Sequence, residues 1–206
     1  MELSDKTLES YLEILASDAP APGGGSASAF CGAQGAALVE MVARLTLGRA
    51  KYAEYAELCE SVITKAAELN KALIIQVDAD ADAYEAVRRA VRLSKSLPQA
   101  EQDVDLIAAA VEFATETPYK TMELCLEALN LAKSLLNKSN KNAASDLGVA
   151  ALNLVTGVYG AYLNVKINIF GREDERAELY RTGCDKIIAE AKTIAKEIFN
   201  AVDSAL

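Results

Sequence analysis

LGVAALNLVTGVYGAYLNV, residues 147–165, runs for 19 residues without a charged side chain. As an α-helix it would reach ~28 Å at ~1.5 Å per residue, enough to raise a membrane span. Asn153, Thr156 and Asn164 interrupt it, together with Gly148, Gly157 and Gly160, and no second stretch of this kind exists in the chain. A helix apolar on all sides in a soluble protein belongs at the centre of a bundle. The expectation is therefore an all-α bundle of long helices with no membrane partner.

The flanking sequence agrees. Only four prolines occur (Pro20, Pro22, Pro98 and Pro118), and the chain from Tyr119 onward has none. Helix formers dominate, and alternating β-branched runs bounded by turns are missing. The breakers predict helices over 7–17, 26–47, 52–94 (one, or two in line), 143–169 and 174–201. Another should start at Pro98, a residue the first helical turn accepts. Pro118 should kink or split it. On the first helix Leu8, Leu12 and Leu15 are expected to form the buried stripe. No repeat or linker is visible, so residues 1–206 read as one helical domain.

Composition narrows the chemistry. The chain has 206 residues, 51% apolar and 25% charged, with 21 basic and 30 acidic side chains and a net charge of −9. Such a balance argues against a nucleic-acid partner. No histidine is present, which removes Ser–His–Asp and Cys–His catalysis and the His-based zinc and di-iron motifs. Cys31, Cys59, Cys125 and Cys184 are widely spaced and form no CxxC pair. No metal site is expected. The start carries no signal-peptide pattern, so the expected compartment is the cytosol, with free thiols. Proton transfer near neutral pH then falls to a carboxylate of raised pKa, or to Cys, Lys, Tyr or water.

Three local features carry possible chemistry. Pro22-Gly23-Gly24-Gly25-Ser26 precedes a helix whose N-cap would be Ser26. Its free N–H groups could receive an anion, or the turn could be a plain connector. In Val77-Asp78-Ala79-Asp80-Ala81-Asp82-Ala83-Tyr84, Leu73, Val77, Tyr84, Val87 and Val91 share one apolar face. Asp80 occupies the vacant place in that series, facing a core, whereas Asp78 and Asp82 read as a solvated acidic face. A carboxylate in an apolar setting is either paired with a core cation or has a raised pKa suited to acid–base work. Finally, Asp146, Ala150, Asn153, Gly157, Gly160, Asn164 and Asn168 form one helical stripe, either a tight helix seam or a polar ligand groove. Asp146 could instead cap its helix. Glu40 and Arg44 should pair at i,i+4.

Taken in order, Pro22–Ser26, Leu45-Thr46-Leu47-Gly48-Arg49-Ala50-Lys51-Tyr52, Asp78–Tyr84, Ala114-Thr115-Glu116-Thr117-Pro118, Asn142–Ala151 and Asn164–Ile169 resemble the cyclodeaminase/cyclohydrolase family. This family comprises the cyclodeaminase part of formiminotransferase-cyclodeaminase and free-standing bacterial relatives. The resemblance implies an all-helical homodimer acting on reduced folate, with no metal and no cofactor beyond that substrate. It implies methenyltetrahydrofolate cyclohydrolase or formiminotetrahydrofolate cyclodeaminase activity, the two sharing an intermediate. Asp80 would be catalytic. Pro22, Gly23, Gly24, Gly25, Ser26, Lys51, Tyr52, Asp146, Asn164 and Asn168 would contact substrate. Family members usually carry more basic residues after Leu-Thr-x-Gly, where this chain has Ala50. The competing reading is a non-catalytic folate-binding or dimerising bundle.

Overall fold

The computed structural model describes residues 2–96 and 104–206. Its helices are α1 (Leu8–Leu15), α2 (Gly24–Thr46), α3 (Ala56–Ser96), α4 (Val104–Ser134), α5 (Ala144–Asn168) and α6 (Glu175–Asp203). Short 3-10 turns, Ala50–Tyr55 and Lys141–Ala143, lead into α3 and α5. No strand occurs among the described residues. The expected start at Pro98 lies outside them.

α2, α3, α4 and α5 pack as a ring of four, each against the next, with α2 also touching α4. α6 covers the α4 and α5 edge. The core runs along this ring through Val39, Leu73, Met122, Leu129, Leu154 and Val158, with Ile198 added from α6. Glycines set the closest approaches. A Cβ on Gly35 would come 2.5 Å from Leu154 Cγ, so α2 and α5 can meet there only because it is absent. α6 is capped by Asp174, whose side chain accepts from Ala177 N at 3.0 Å. It is tied to α4 through Glu112, which accepts from Arg172, Arg176 and the Tyr180 hydroxyl. Glu40 and Arg44 pair as expected, at 2.6 Å.

Two expectations need correction and one is narrowed. Pro118 does not split its helix, which continues through it to Ser134. A proline leaves the carbonyl four residues earlier without its helical donor. That carbonyl, Ala114 O, instead accepts from Asn168 Nδ2 at 2.7 Å, so a side chain of α5 replaces the missing bond. On α1, Leu8 and Leu12 are exposed, and Tyr11 is the buried residue, with Leu15 packed beside it. Finally, α5 is not buried on all sides. Val149, Leu152, Tyr159, Leu163, Ile167 and Phe170 are exposed along one line of the helix and its end. The segment Lys141–Asn168 is, among the described residues, the one helix long and apolar enough to cross a membrane, and 44% of its most apolar stretch is buried.

Candidate active site

The buried line on α3 descends through Leu73 and Val77 and then passes to Ala83, Ala90 and Ser94. Tyr84 and Val87 fall off that line and face a cleft of roughly 390 Å³. Asp80 sits where the seam opens. The cleft is walled by Pro20, Ala21, Gly23 and Gly24 before and at the start of α2, by Asp80, Tyr84 and Val87 of α3, by Ala114 of α4, and by Asn164, Ile167 and Asn168 of α5. Four separate parts of the ring thus converge on one carboxylate.

Among the described residues Asp80 has no cationic partner. Its Oδ2 accepts a hydrogen bond from Ser26 N at 2.9 Å, and its Oδ1 has no partner among the described residues. A helix N-terminus welcomes an anion, and here the anion is the protein's own side chain. The contact depends on glycine at position 25, since a Cβ there would lie 2.5 Å from Asp80 Cγ. Two effects compete on the carboxyl. Burial raises its pKa and the Ser26 N–H lowers it, with burial the larger, so the group sits above its ordinary value. A raised, half-buried acid that still reaches a cleft is what proton transfer near neutral pH requires.

The two asparagines are oriented by their own hydrogen bonds. Asn168 Nδ2 donates to Ala114 O, and Asn164 Nδ2 donates to Gly160 O at 2.9 Å. Both Oδ1 atoms remain as acceptors without partners among the described residues. With the Asp80 carboxyl they give the cleft a lining biased toward ligand N–H donors and positive charge, and no Lys or Arg lines it. Arg88 stands nearby on α3, its guanidinium 6.0 Å from the centre of the Tyr84 ring.

The remaining candidates separate into groups. Gly23, Gly24, Asp80, Asn164 and Asn168 line the cleft, while Pro22, Gly25 and Ser26 are buried behind it. The Ser26 hydroxyl instead lies 3.1 Å from the Tyr11 hydroxyl. Lys51, Tyr52 and Asp146 are at the other end of the ring. α2, 23 residues and about 34 Å long, separates the Gly24 end from the Thr46 end. There Tyr52 Oη accepts from Lys141 N at 3.1 Å, and Lys51 Nζ lies 5.6 Å from the Tyr52 ring centre. Arg49 is spent on Leu45 O at 2.7 Å. Asp146 lies in the first turn of α5 without capping it. The polar stripe of α5 passes through two settings. Its middle is a seam, with a Cβ on Gly157 falling 3.0 Å from Ser28 O of α2, and its C-terminal end is the cleft wall.

Asp78 departs from the solvated reading, since it binds the N-terminal segment through Leu3 N, Ser4 N and Ser4 Oγ. Tyr11 carries no signal in the sequence, which shows Tyr84 and Ala114 as members of an apolar face and a family motif without a role at the site. The signal for Ala114 was available, because it lies four residues before a proline inside a helix. All four cysteines are free, and burial pushes the Cys125 thiol up to about 12. Among the described residues no three His, Cys, Asp or Glu side chains gather as a metal site would need.

The chain is similar to known proteins. The family model for formiminotransferase-cyclodeaminase matches residues 7–203. Methenyltetrahydrofolate cyclohydrolase of Methylorubrum extorquens is 37% identical over 202 residues, covering 97% of each chain. Formimidoyltransferase-cyclodeaminase of Rattus norvegicus is 33% identical over 205 residues, which are 98% of this chain and 38% of that one. The crystal structure of formiminotetrahydrofolate cyclodeaminase from Thermotoga maritima superposes with a TM-score of 0.82 at 23% identity, over 100% of this chain and 98% of that one, and so shares the fold. The chain belongs to the formiminotransferase-cyclodeaminase family.

Proposed function

We propose that Asp80 moves the protons in a tetrahydrofolate one-carbon reaction at the carbon that bridges N5 and N10. The chain is an enzyme of the methenyltetrahydrofolate cyclohydrolase and formiminotetrahydrofolate cyclodeaminase type. In hydrolysis, water adds to the cationic methenyl carbon and gives a proton to Asp80. The C–N5 bond of the tetrahedral adduct then breaks. N5 takes the proton back from Asp80, the adduct hydroxyl loses its own proton to solvent, and 10-formyltetrahydrofolate leaves. In cyclodeamination, N10 attacks the protonated formimino carbon. Asp80 carries the N10 proton to the amino group, which departs as ammonia, leaving 5,10-methenyltetrahydrofolate.

The observation that carries this reading is a single acid of raised pKa, fixed by the Ser26 N–H and open to the cleft. The negative charge of its ionised form also favours the methenyl cation. Asn164 and Asn168, set as acceptors, suit the N–H-rich edge of the pterin. The chemistry so written needs no metal and no cofactor beyond the folate.

The enzyme acts, on this reading, as a cytosolic homodimer joined through the exposed apolar line of α5, whose Leu163 is 63% exposed and Phe170 86%. Isolated apolar residues on a surface need no explanation, but a continuous row does. The test supplies 5-formimino- and 5,10-methenyltetrahydrofolate separately and follows ammonia release and methenyl absorbance. Turnover of either supports the reading, and turnover of neither refutes it.

A further inference from the structure

We propose that the N-terminal segment, residues 3–15, is a positioning strap for Asp80, with Asp78 as its latch and Tyr11 as the residue that holds Ser26 in place. The inference rests on the proton-transfer role given to Asp80 above.

α1 has only 8 residues, too few to persist as an isolated helix. It is held at two points, one on α3 close to Asp80 in the chain and one at the residue that bonds its carboxylate. The first is Asp78, two residues before Asp80, which accepts from Leu3 N at 2.5 Å, Ser4 N at 3.2 Å and Ser4 Oγ at 2.5 Å. Bonds to an ionised acceptor are the stronger kind. The second is Tyr11, whose hydroxyl lies 3.1 Å from Ser26 Oγ in a buried contact. Ser26 is the residue whose N–H holds Asp80 Oδ2. One chain of contacts therefore leads from α1 through Ser26 to the reacting acid.

Packing follows the same line. Tyr11, Ala29 and Val77 form a small core of their own, edged by Leu3, Leu15 and Phe30 and separate from the main one. Tyr11 and Phe30 rings lie 5.6 Å apart. None of Leu3, Tyr11, Ser26, Val77 or Asp78 lines the cleft. The strap thus covers Asp80 from behind and leaves the ligand side to other residues. The Tyr11 hydroxyl is itself pushed above its ordinary value, first by burial, with the Asp80 charge also contributing. A group that takes a proton and returns it in one turnover must keep its place between the two steps, and small displacements of such a group are costly.

The test uses full-length Tyr11→Phe, Asp78→Ala and Asp78→Asn. Tyr11→Phe and Asp78→Ala are expected to lower kcat about tenfold while KM stays within about twofold, because the strap touches the acid and not the substrate. Asp78→Asn keeps an oxygen acceptor for Leu3 N and should restore most of kcat. Amide exchange at Ser26, followed by NMR without substrate, should quicken in Tyr11→Phe and Asp78→Ala and not in Asp78→Asn. Unchanged Ser26 exchange in both loosened variants overturns the strap, as does wild-type kcat in both, or a rise in KM alone. A wild-type protein without turnover would sink the proposed reaction and leave Ser26 exchange to decide the strap.

Discussion

Replacing Gly25 with alanine places a methyl group against the Asp80 carboxyl. The new Cβ would lie 2.5 Å from Cγ and 2.7 Å from Oδ2. Carbon atoms prefer roughly 3.5–4.0 Å, so the carboxyl or the start of α2 must move by about 1 Å. Three effects compete in stability. Alanine gains up to about 1 kcal/mol of helix propensity over glycine. Overpacking costs about 1–3 kcal/mol, and losing the Ser26 bond to a charged acceptor about 1.5–3 kcal/mol. The clash wins, and Gly25→Ala should be destabilised by about 2–5 kcal/mol in urea unfolding at neutral pH. A displacement of that size should also lower kcat by about 100-fold, read from decay of methenyl absorbance. Gly23→Ala is the control for stability, since a Cβ there meets nothing within 4 Å. As the residue before the first turn of α2 it should cost no more than about 1 kcal/mol, the N-cap preference of glycine over alanine. A Gly25→Ala protein with wild-type stability and wild-type kcat would show that the carboxylate does not sit against α2 as described.

Asp80→Asn should change how stability depends on pH. Because the folded pKa is raised, the folded state holds its proton more tightly than the unfolded chain. The wild type therefore loses stability as pH rises from the ordinary carboxylate value through the raised one, and Asp80→Asn should lack that loss. Parallel unfolding curves of the two proteins across this range would contradict the assignment. Asn168→Ala orphans the carbonyl freed by Pro118 and should cost about 1–3 kcal/mol. In a Pro118→Ala background Ala114 O regains a helical donor, so the same substitution should cost clearly less, and equal costs in a double-mutant cycle would rule out the pairing. Leu163→Glu, on the exposed line of α5, should convert a dimer to a monomer in sedimentation analysis, and a monomeric wild type would remove that interface.

The sequence made the fold legible wherever the evidence was local. Helix formers and breakers place α2, α3, α5 and α6 within a few residues, and the periodicity of Leu73 and Val77 picks out Asp80, which sits where the buried line gives way to the cleft. Long-range contacts were not legible. Pro118 reads as a kink or split, and the amide that keeps the helix continuous there, on Asn168, lies 54 residues away. The Gly23–Ser26 turn reads as an anion site or a plain connector, and in the fold its Ser26 N–H meets a carboxyl of α3. Lys51, Tyr52 and Asp146 share motifs with the cleft residues in order along the chain and not in space. Helix length, invisible to a motif, puts them at the opposite end. On α1 the three leucines outweigh one tyrosine in any hydrophobic count. Tyr11 is nevertheless the residue buried, because its hydroxyl finds Ser26 while its ring meets Phe30. The polarity of α5 shows which residues share a face but not which face the ring covers, so its exposed apolar line appears only in the folded chain.

The most direct measurement compares wild type and Asp80→Asn on 5,10-methenyltetrahydrofolate by the decay of its absorbance, with the fold of each checked by circular dichroism. Asparagine keeps an oxygen for the Ser26 N–H and loses the ability to carry a proton. The account predicts a folded variant whose kcat falls by about 10²–10⁴-fold. A folded Asp80→Asn protein that turns over at the wild-type rate would contradict it.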